Sequence, residues 1–165
     1  MNAERRPLTL ADLGALAERL ATDREPAGLY AAVDALVQDV IGHRLFTLMR
    51  VHEARAEVER VYSSNTTAYP VGGRKHKLGT PWSAAVLDRG EVFVARTPDE
   101  VRDAFADHAL IASLGIGSIM NIPLAYRGRR LGTMNISHES GWFTDRDAAT
   151  GRLIAPFLVP SLLAA

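Results

Sequence analysis

Between Ser63 and Lys77 the chain gathers its densest set of reactive side chains. The run reads Ser63-Ser64-Asn65-Thr66-Thr67-Ala68-Tyr69-Pro70-Val71-Gly72-Gly73-Arg74-Lys75-His76-Lys77. Hydroxyls, an amide, two glycines and four basic or imidazole groups share one stretch with no usable period. Such a stretch suits a pocket lid. Glycine lets backbone N–H groups approach a ligand, and Arg74, Lys75 or Lys77 supplies charge to a carboxylate or phosphate. Lysine can also lose its proton on burial, so Lys75 is a candidate acid or base. The competing reading is a solvated basic loop. The run is not a phosphate-binding P-loop, because Gly73–Thr80 lacks lysine after its second glycine.

Other candidates lie further along. Trp82 offers an aromatic floor, or plain core packing. Ser118, behind Gly115 and Gly117, offers a hydroxyl and backbone donors to an anion, although a tight turn already explains Gly115. Asn121 and Asn135 fall in strands that read as covered on both faces, so each amide needs a ligand or a neighbouring partner. His138 shares a strand face with Met134 and Ile136 and is a candidate for the pocket mouth, with a structural role as the alternative. His108 reads as a surface histidine closing a helical stretch. The histidines at 43, 52, 76, 108 and 138 show no metal-ligand spacing, so no metal is expected. No nucleophile–base pair can be chosen from spacing, and no catalytic residue is assigned.

Composition narrows the chemistry. The chain has 165 residues, no cysteine and a formal net charge of +0. That length suits one domain. The missing cysteines exclude a disulfide framework, thiol catalysis, an iron–sulfur cluster and a thioether-linked group, and no cofactor is expected. A balanced charge offers no field for nucleic acid or an anionic membrane. No run approaches the ~20 apolar residues of a membrane helix. With no leader visible, a cytoplasmic protein is expected. Of 19 basic residues only Lys75 and Lys77 are lysines, and both fall in the candidate lid.

The elements that would position these groups follow from period and caps. Leu10, Leu13, Leu16 and Leu20 repeat at helical spacing behind a Thr9/Asp12 capping box. Leu29, Val33, Leu36, Val37, Val40 and Ile41 predict a second helix, stopped at Gly42. Leu45–Val51 and Glu57–Ser63 read as a strand pair joined by a turn. Ser64–Thr80 reads as irregular. A short helix is expected at Trp82–Leu87 and a strand at Glu91–Ala95. A helix capped by Thr97 and boxed by Glu100 then runs on towards Ser113. Ser118–Leu124 and Leu131–His138 form a hairpin through Gly128, and a final helix opens at Thr144 and breaks at Pro156.

Several of these segments resemble the GAF domain family. They are Gly117-Ser118-Ile119-Met120-Asn121-Ile122-Pro123-Leu124, the Gly128 turn, Leu131-Gly132-Thr133-Met134-Asn135-Ile136, and Trp142-Phe143-Thr144-Asp145. The resemblance covers about Pro26 to Ala165 and is most specific in the C-terminal third. It implies an α+β fold: a central six-stranded antiparallel sheet, with N- and C-terminal helices on one face and ligand-pocket helices and loops on the other. It implies one GAF-like domain over 1–165, with a helix and arm at 1–25 and the core at 26–165. It also implies a small-molecule ligand and a homodimer through the terminal helices. The absent cysteines set the chain apart from the methionine-sulfoxide reductase and thioether-bilin branches. The Asn-Lys, Phe and Asp-Glu pattern of cyclic-nucleotide-binding members is not found.

The expectation is a stand-alone sensor or regulatory domain for a small, polar, anionic metabolite. Its ligand contacts are expected among Ser64, Asn65, Tyr69, Lys75, Lys77, Trp82, Ser118, Asn121 and His138. The alternative is a small cofactor-free enzyme, a hydrolase or isomerase of a small C–N or carbonyl compound, using the same pocket. A third reading is a structural domain whose pocket is filled by its own side chains.

Overall fold

Six antiparallel strands form one sheet in the order β3-β2-β1-β6-β5-β4. The computed structural model describes residues 5–76 and 79–163. The strands are β1 (Leu45–His52), β2 (Glu57–Ser63), β3 (Arg74–His76), β4 (Phe93–Ala95), β5 (Ser118–Tyr126) and β6 (Arg129–His138). The sheet expected by resemblance is therefore present.

Period-2 alternation divides the strands between two cores. Phe46, Leu48, Met120, Ile122, Met134 and Ile136 face one side. There they meet helices α2 (Pro26–Val40), α6 (Asp145–Ile154) and α7 (Val159–Leu163), with α1 (Leu10–Thr22) adding Leu16. Leu45, Met49, Val58 and Ile119 face the other side. They pack under α3 (Pro81–Ser83) and its wider continuation over 84–89, and under α4 (Pro98–Ala104) and α5 (His108–Ser113). The helices of both chain ends thus cover one face, and the middle of the chain covers the other.

Local chemistry accounts for most boundaries. Thr9 with Asp12, and Thr144 with Asp147, form reciprocal capping boxes. Gly42 stops α2 at a φ of +82°, where a side chain would be strained. Arg127 and Gly128 both have positive φ, the pattern of a tight hairpin turn that matches strand twist. Pro156 cannot donate to a helix ladder, and a tighter turn over Ala155–Leu158 separates α6 from α7.

Four expectations are corrected. Ser64–Thr80 is not wholly irregular, because β3 pairs there with β2 through Glu57/His76, Val58/Lys75 and Glu59/Arg74. Three polar residues at a sheet edge carry no hydrophobic period, so the strand is silent in sequence. The helix from Thr97 does not reach Ser113. Phe105 is extended and Asp107 sits ahead of a separate α5, which places His108 at a helix start, exposed, rather than at a helix end. Glu100 does not close a capping box, since its carboxylate takes the Arg96 backbone N–H instead. The short helix after Thr80 is one α-turn that widens into a π-turn from Ala84 to Arg89.

Candidate functional site

The sheet face under α3–α5 holds a cavity of about 50 Å³, bounded by β1, β2, β3, β5, β6 and those helices. Its base is a chain of amides. Asn121 Nδ2 donates to Asn135 Oδ1 (2.7 Å), and Asn135 Nδ2 donates to Thr47 Oγ1 (3.1 Å). These residues are adjacent across β5, β6 and β1 by register, Asn121 opposite Asn135 and Asn135 opposite Thr47. Asn121 is 4% exposed, and its Oδ1 has no partner.

One wall is aromatic. The Trp82 and Phe105 rings stack with centroids 6.2 Å apart, and Phe93 meets Phe105 edge-on. The opposite wall is polar and charged. Tyr69 Oη donates to Asp107 Oδ2 (2.7 Å), and Lys75 Nζ donates to Asp107 Oδ1 (3.0 Å). The Arg60 guanidinium lies 4.8 Å from the centre of the Tyr69 ring.

Arg60 enters the cavity because of a register shift. Thr47 and Leu48 pair with Ser63 and Tyr62, whereas Met49 pairs with Arg60, leaving Val61 as an extra residue. The bulge keeps Arg60 on the face of Val58 and turns Tyr62 to the other face. Tyr62 there donates to Asp34 Oδ2 (2.7 Å) and packs on Tyr30 and Phe46. The turn after Tyr69 grips Arg60: its N–H donates to Gly73 O, its carbonyl accepts from Gly72 N–H, and Nη1 donates to Pro70 O (3.0 Å). A Cβ on Gly73 would stand 2.5 Å from Arg60 Nη1, so a larger residue there would displace the guanidinium from its present seat.

The charges follow from this packing. Burial lowers the Arg60 pKa, with Tyr69 and Asp107 opposing, and an arginine so placed stays cationic at neutral pH. Burial works to raise the Asp107 pKa, but the Lys75 charge and the Tyr69 hydrogen bond outweigh it and hold the carboxyl below its usual value. Burial, and then the Asp107 carboxylate, push the Tyr69 hydroxyl well above its usual value. At neutral pH Arg60 is therefore a cation, Asp107 a carboxylate and Tyr69 neutral, with Lys75 paired to the Asp107 carboxylate. Among the described residues Arg60 makes no ion pair, and its Nε has no partner although the residue is only 6% exposed.

Four of the nine residues singled out from sequence line the cavity: Tyr69, Lys75, Trp82 and Asn121. Four others do not. Ser64 Oγ accepts the Phe46 N–H. Asn65 Oδ1 accepts the Ala68 N–H, closing the turn that presents Tyr69. Ser118 and His138 lie on the opposite sheet face. Ser118 Oγ donates to Glu139 O (2.6 Å), and His138 stacks on Trp142. Strand parity with Met134 and Ile136, both in the terminal-helix core, carries His138 away from the pocket mouth. Lys77 lies outside the described residues. Sequence reasoning missed Arg60 and Asp107. Arg60 had a legible signal, since it stands two residues from Val58 on one strand face. Asp107 had none, because the break before α5 is what turns it inward. Among the described residues no cluster of three metal-ligating side chains occurs.

The sheet order, the terminal helices on one face and the covered cavity on the other now meet a direct comparison. The family model for the GAF domain matches residues 25–158. The chain belongs to the GAF domain family. Solved GAF domains share its fold at low identity. One from a Coxiella burnetii phosphoenolpyruvate-protein phosphotransferase superposes with a TM-score of 0.77 at 16% identity, covering 94% of this chain and 93% of that one. The corresponding Acinetobacter domain gives 0.76 at 13% identity, with the same coverage. The phycocyanobilin-bound GAF domain of a cyanobacterial phytochrome gives 0.72 at 14% identity, covering 95% and 98%. No curated protein matches the chain in sequence. GAF domains are small-molecule-binding sensory and regulatory modules. No described helix of this one is long and apolar enough to cross a membrane.

Proposed function

We propose that this GAF domain is a sensor for a small anionic metabolite held in the cavity by Arg60, with Lys75, Tyr69, Trp82 and Asn121 around it. The observation that carries the reading is Arg60, a buried guanidinium with a free Nε and no carboxylate partner among the described residues. Leaving a buried charge uncompensated is costly, and a bound anion would remove that cost. Asp107 offsets one of two cations, so the cavity favours a single negative charge. Its volume of about 50 Å³ admits roughly four water-sized groups. A compact oxyanion or short carboxylate fits, and a larger ligand requires the aromatic wall or the β3 segment to move.

Binding is favoured over acid–base catalysis. Tyr69 is pushed up and Asp107 down, so neither titrates near neutral pH, where a general acid or base works best. Thermal melting with acetate, nitrate and phosphate against acetamide tests the reading. At least one anion should raise Tm while acetamide does not, Arg60→Met should abolish the rise, and Lys75→Ala should weaken it. No rise with any anion, or an equal rise in folded Arg60→Met, sinks it.

We also propose that the domain pairs as a homodimer through its terminal helices. Leu10, at 87% exposed, together with Leu153 and Leu163, leaves apolar surface on α1, α6 and α7 that supports this pairing.

A further inference from the structure

The zero net charge of the chain conceals a local surplus. Arg127, Arg129 and Arg130 cluster at the β5–β6 turn, and Arg152 lies on α6. Among the described residues none of the four makes an ion pair. Glu91, beside the same region, is already paired with Arg89. Asp88 is exposed and pairs with none of them.

Arg152 lines a crevice of about 220 Å³ that shares no residue with the cavity under α3–α5. The rest of its lining is Gly90 and an apolar floor of Ile122, Pro123, Ala125, Ala155, Pro156 and Val159. Two contacts put Arg130 beside it. Arg130 pairs across the sheet with Ala125, and a Cβ on Gly90 would stand 2.5 Å from Arg130 Cζ. Its Nη1 donates to Gly128 O (3.1 Å), while its Nε is buried with no partner. Arg129 pairs with Tyr126, one residue further along β5, and is exposed.

The crevice follows a sheet edge. β4 pairs with β5 only at Ile119, Met120 and Asn121, whereas β6 follows β5 to Tyr126. The edge beyond Asn121 contains Pro123, which has no N–H to offer an added strand. Recognition here therefore falls to side chains.

Charge selects the occupant. A second copy in a symmetric contact would bring the same arginines against these, and like charges repel. A nucleic acid would meet the arginines with phosphates but leave the aliphatic floor without an apolar partner. An aliphatic side chain flanked by carboxylates satisfies both the floor and the rim.

We propose that this crevice docks an acidic segment of a partner protein, an aliphatic side chain on the Ile122–Val159 floor and carboxylates on Arg129, Arg130 and Arg152. The proposal goes beyond the anion-sensing reading and does not depend on it.

The test is an NMR titration of the isotope-labelled wild-type chain with the blocked pentapeptide Glu-Glu-Leu-Glu-Glu. Shifts should concentrate at Gly90, Ile122, Ala125, Arg129, Arg130 and Arg152. Replacing every Glu by Gln should weaken binding roughly fivefold or more, as should replacing Leu by Ala. Raising the salt should weaken the acidic peptide further. Arg129→Glu with Arg152→Glu, both exposed, should abolish the shifts without lowering Tm. The peptide series needs no variant, so a poorly folded double variant leaves the test intact. No shift at the crevice overturns the proposal, as does equal binding of the Gln or the Ala peptide. Sulfate shifting the same residues as strongly as the peptide reduces the crevice to a simple anion site. Tighter binding of an oligothymidylate there would assign it to nucleic acid, and shifts on concentrating the protein alone would assign it to a second copy. Each of these three outcomes also overturns the proposal.

Discussion

Asp107 shows how much one carboxylate can arrange. It orients the Tyr69 hydroxyl, holds Lys75 at 3.0 Å and offsets one of the two cavity cations. Because its folded pKa lies below the unfolded value, its contribution is present above the ordinary carboxylate range and is lost as pH falls through the folded pKa. Asp107→Asn should cost on the order of 1 kcal/mol at pH 7, allowing for the partial exposure of Lys75. The gap between wild type and variant in urea melts should then close as pH falls below about 4. A gap that persists into acid would show that Asp107 acts through packing alone. The same substitution raises the cavity's net charge, so anion affinity should rise by a few-fold when titrated at neutral pH.

At the scale of elements, β6 and β1 must approach closely to build the amide base. A Cβ on Gly132 would meet Met49 O at 2.1 Å and Leu162 Cδ1 at 2.8 Å. The first atom is backbone in a neighbouring strand and cannot step aside. Gly132→Ala should therefore cost at least about 2 kcal/mol in urea unfolding. Thr144→Ala loses the cap of α6, and about 1 kcal/mol is expected. These elements were legible in sequence where caps and periods are local. Thr144/Asp147 and the 29-33-36-37-40 stripe are short-range patterns. β3 was not legible, because Arg74, Lys75 and His76 become a strand only by pairing with β2. The break at Phe105 was hidden too, since Val101, Phe105 and Ala109 keep a helical spacing that the chain does not follow.

Across the whole molecule, the arm before α1 is tied to the terminal-helix face. Arg5 Nη1 donates to Asp147 Oδ1 (2.8 Å), and its guanidinium sits 4.7 Å from the Trp142 ring centre. Asp147 is buried and also belongs to the α6 cap, so the arm and the last long helix share one carboxylate. Arg5→Ala should lower stability by about 1 kcal/mol in thermal melts. It should leave anion affinity unchanged, because the cavity lies across the sheet. For the proposed dimer, light scattering should give twice the chain mass, and Leu10→Glu with Leu153→Glu should return the monomer. A wild-type monomer at high concentration would refute that pairing.

Neutral charge and absent cysteine came from composition alone and removed whole classes of chemistry. Period, caps and turns, which depend on neighbours a few residues apart, were enough for most helices and for the central hairpin. They also marked Tyr69, Lys75, Trp82 and Asn121 as site candidates. The pairing of Arg60 with the cavity, the inward turn of Asp107 and the removal of Ser118 and His138 to the far face were decided only in three dimensions. Each depends on a relation between distant segments: the Val61 bulge set against β1, the seat of α5 over β3, and the parity of β6 beside β5. Those relations arise when separate elements pack and share hydrogen bonds, and local residue patterns carry no record of them.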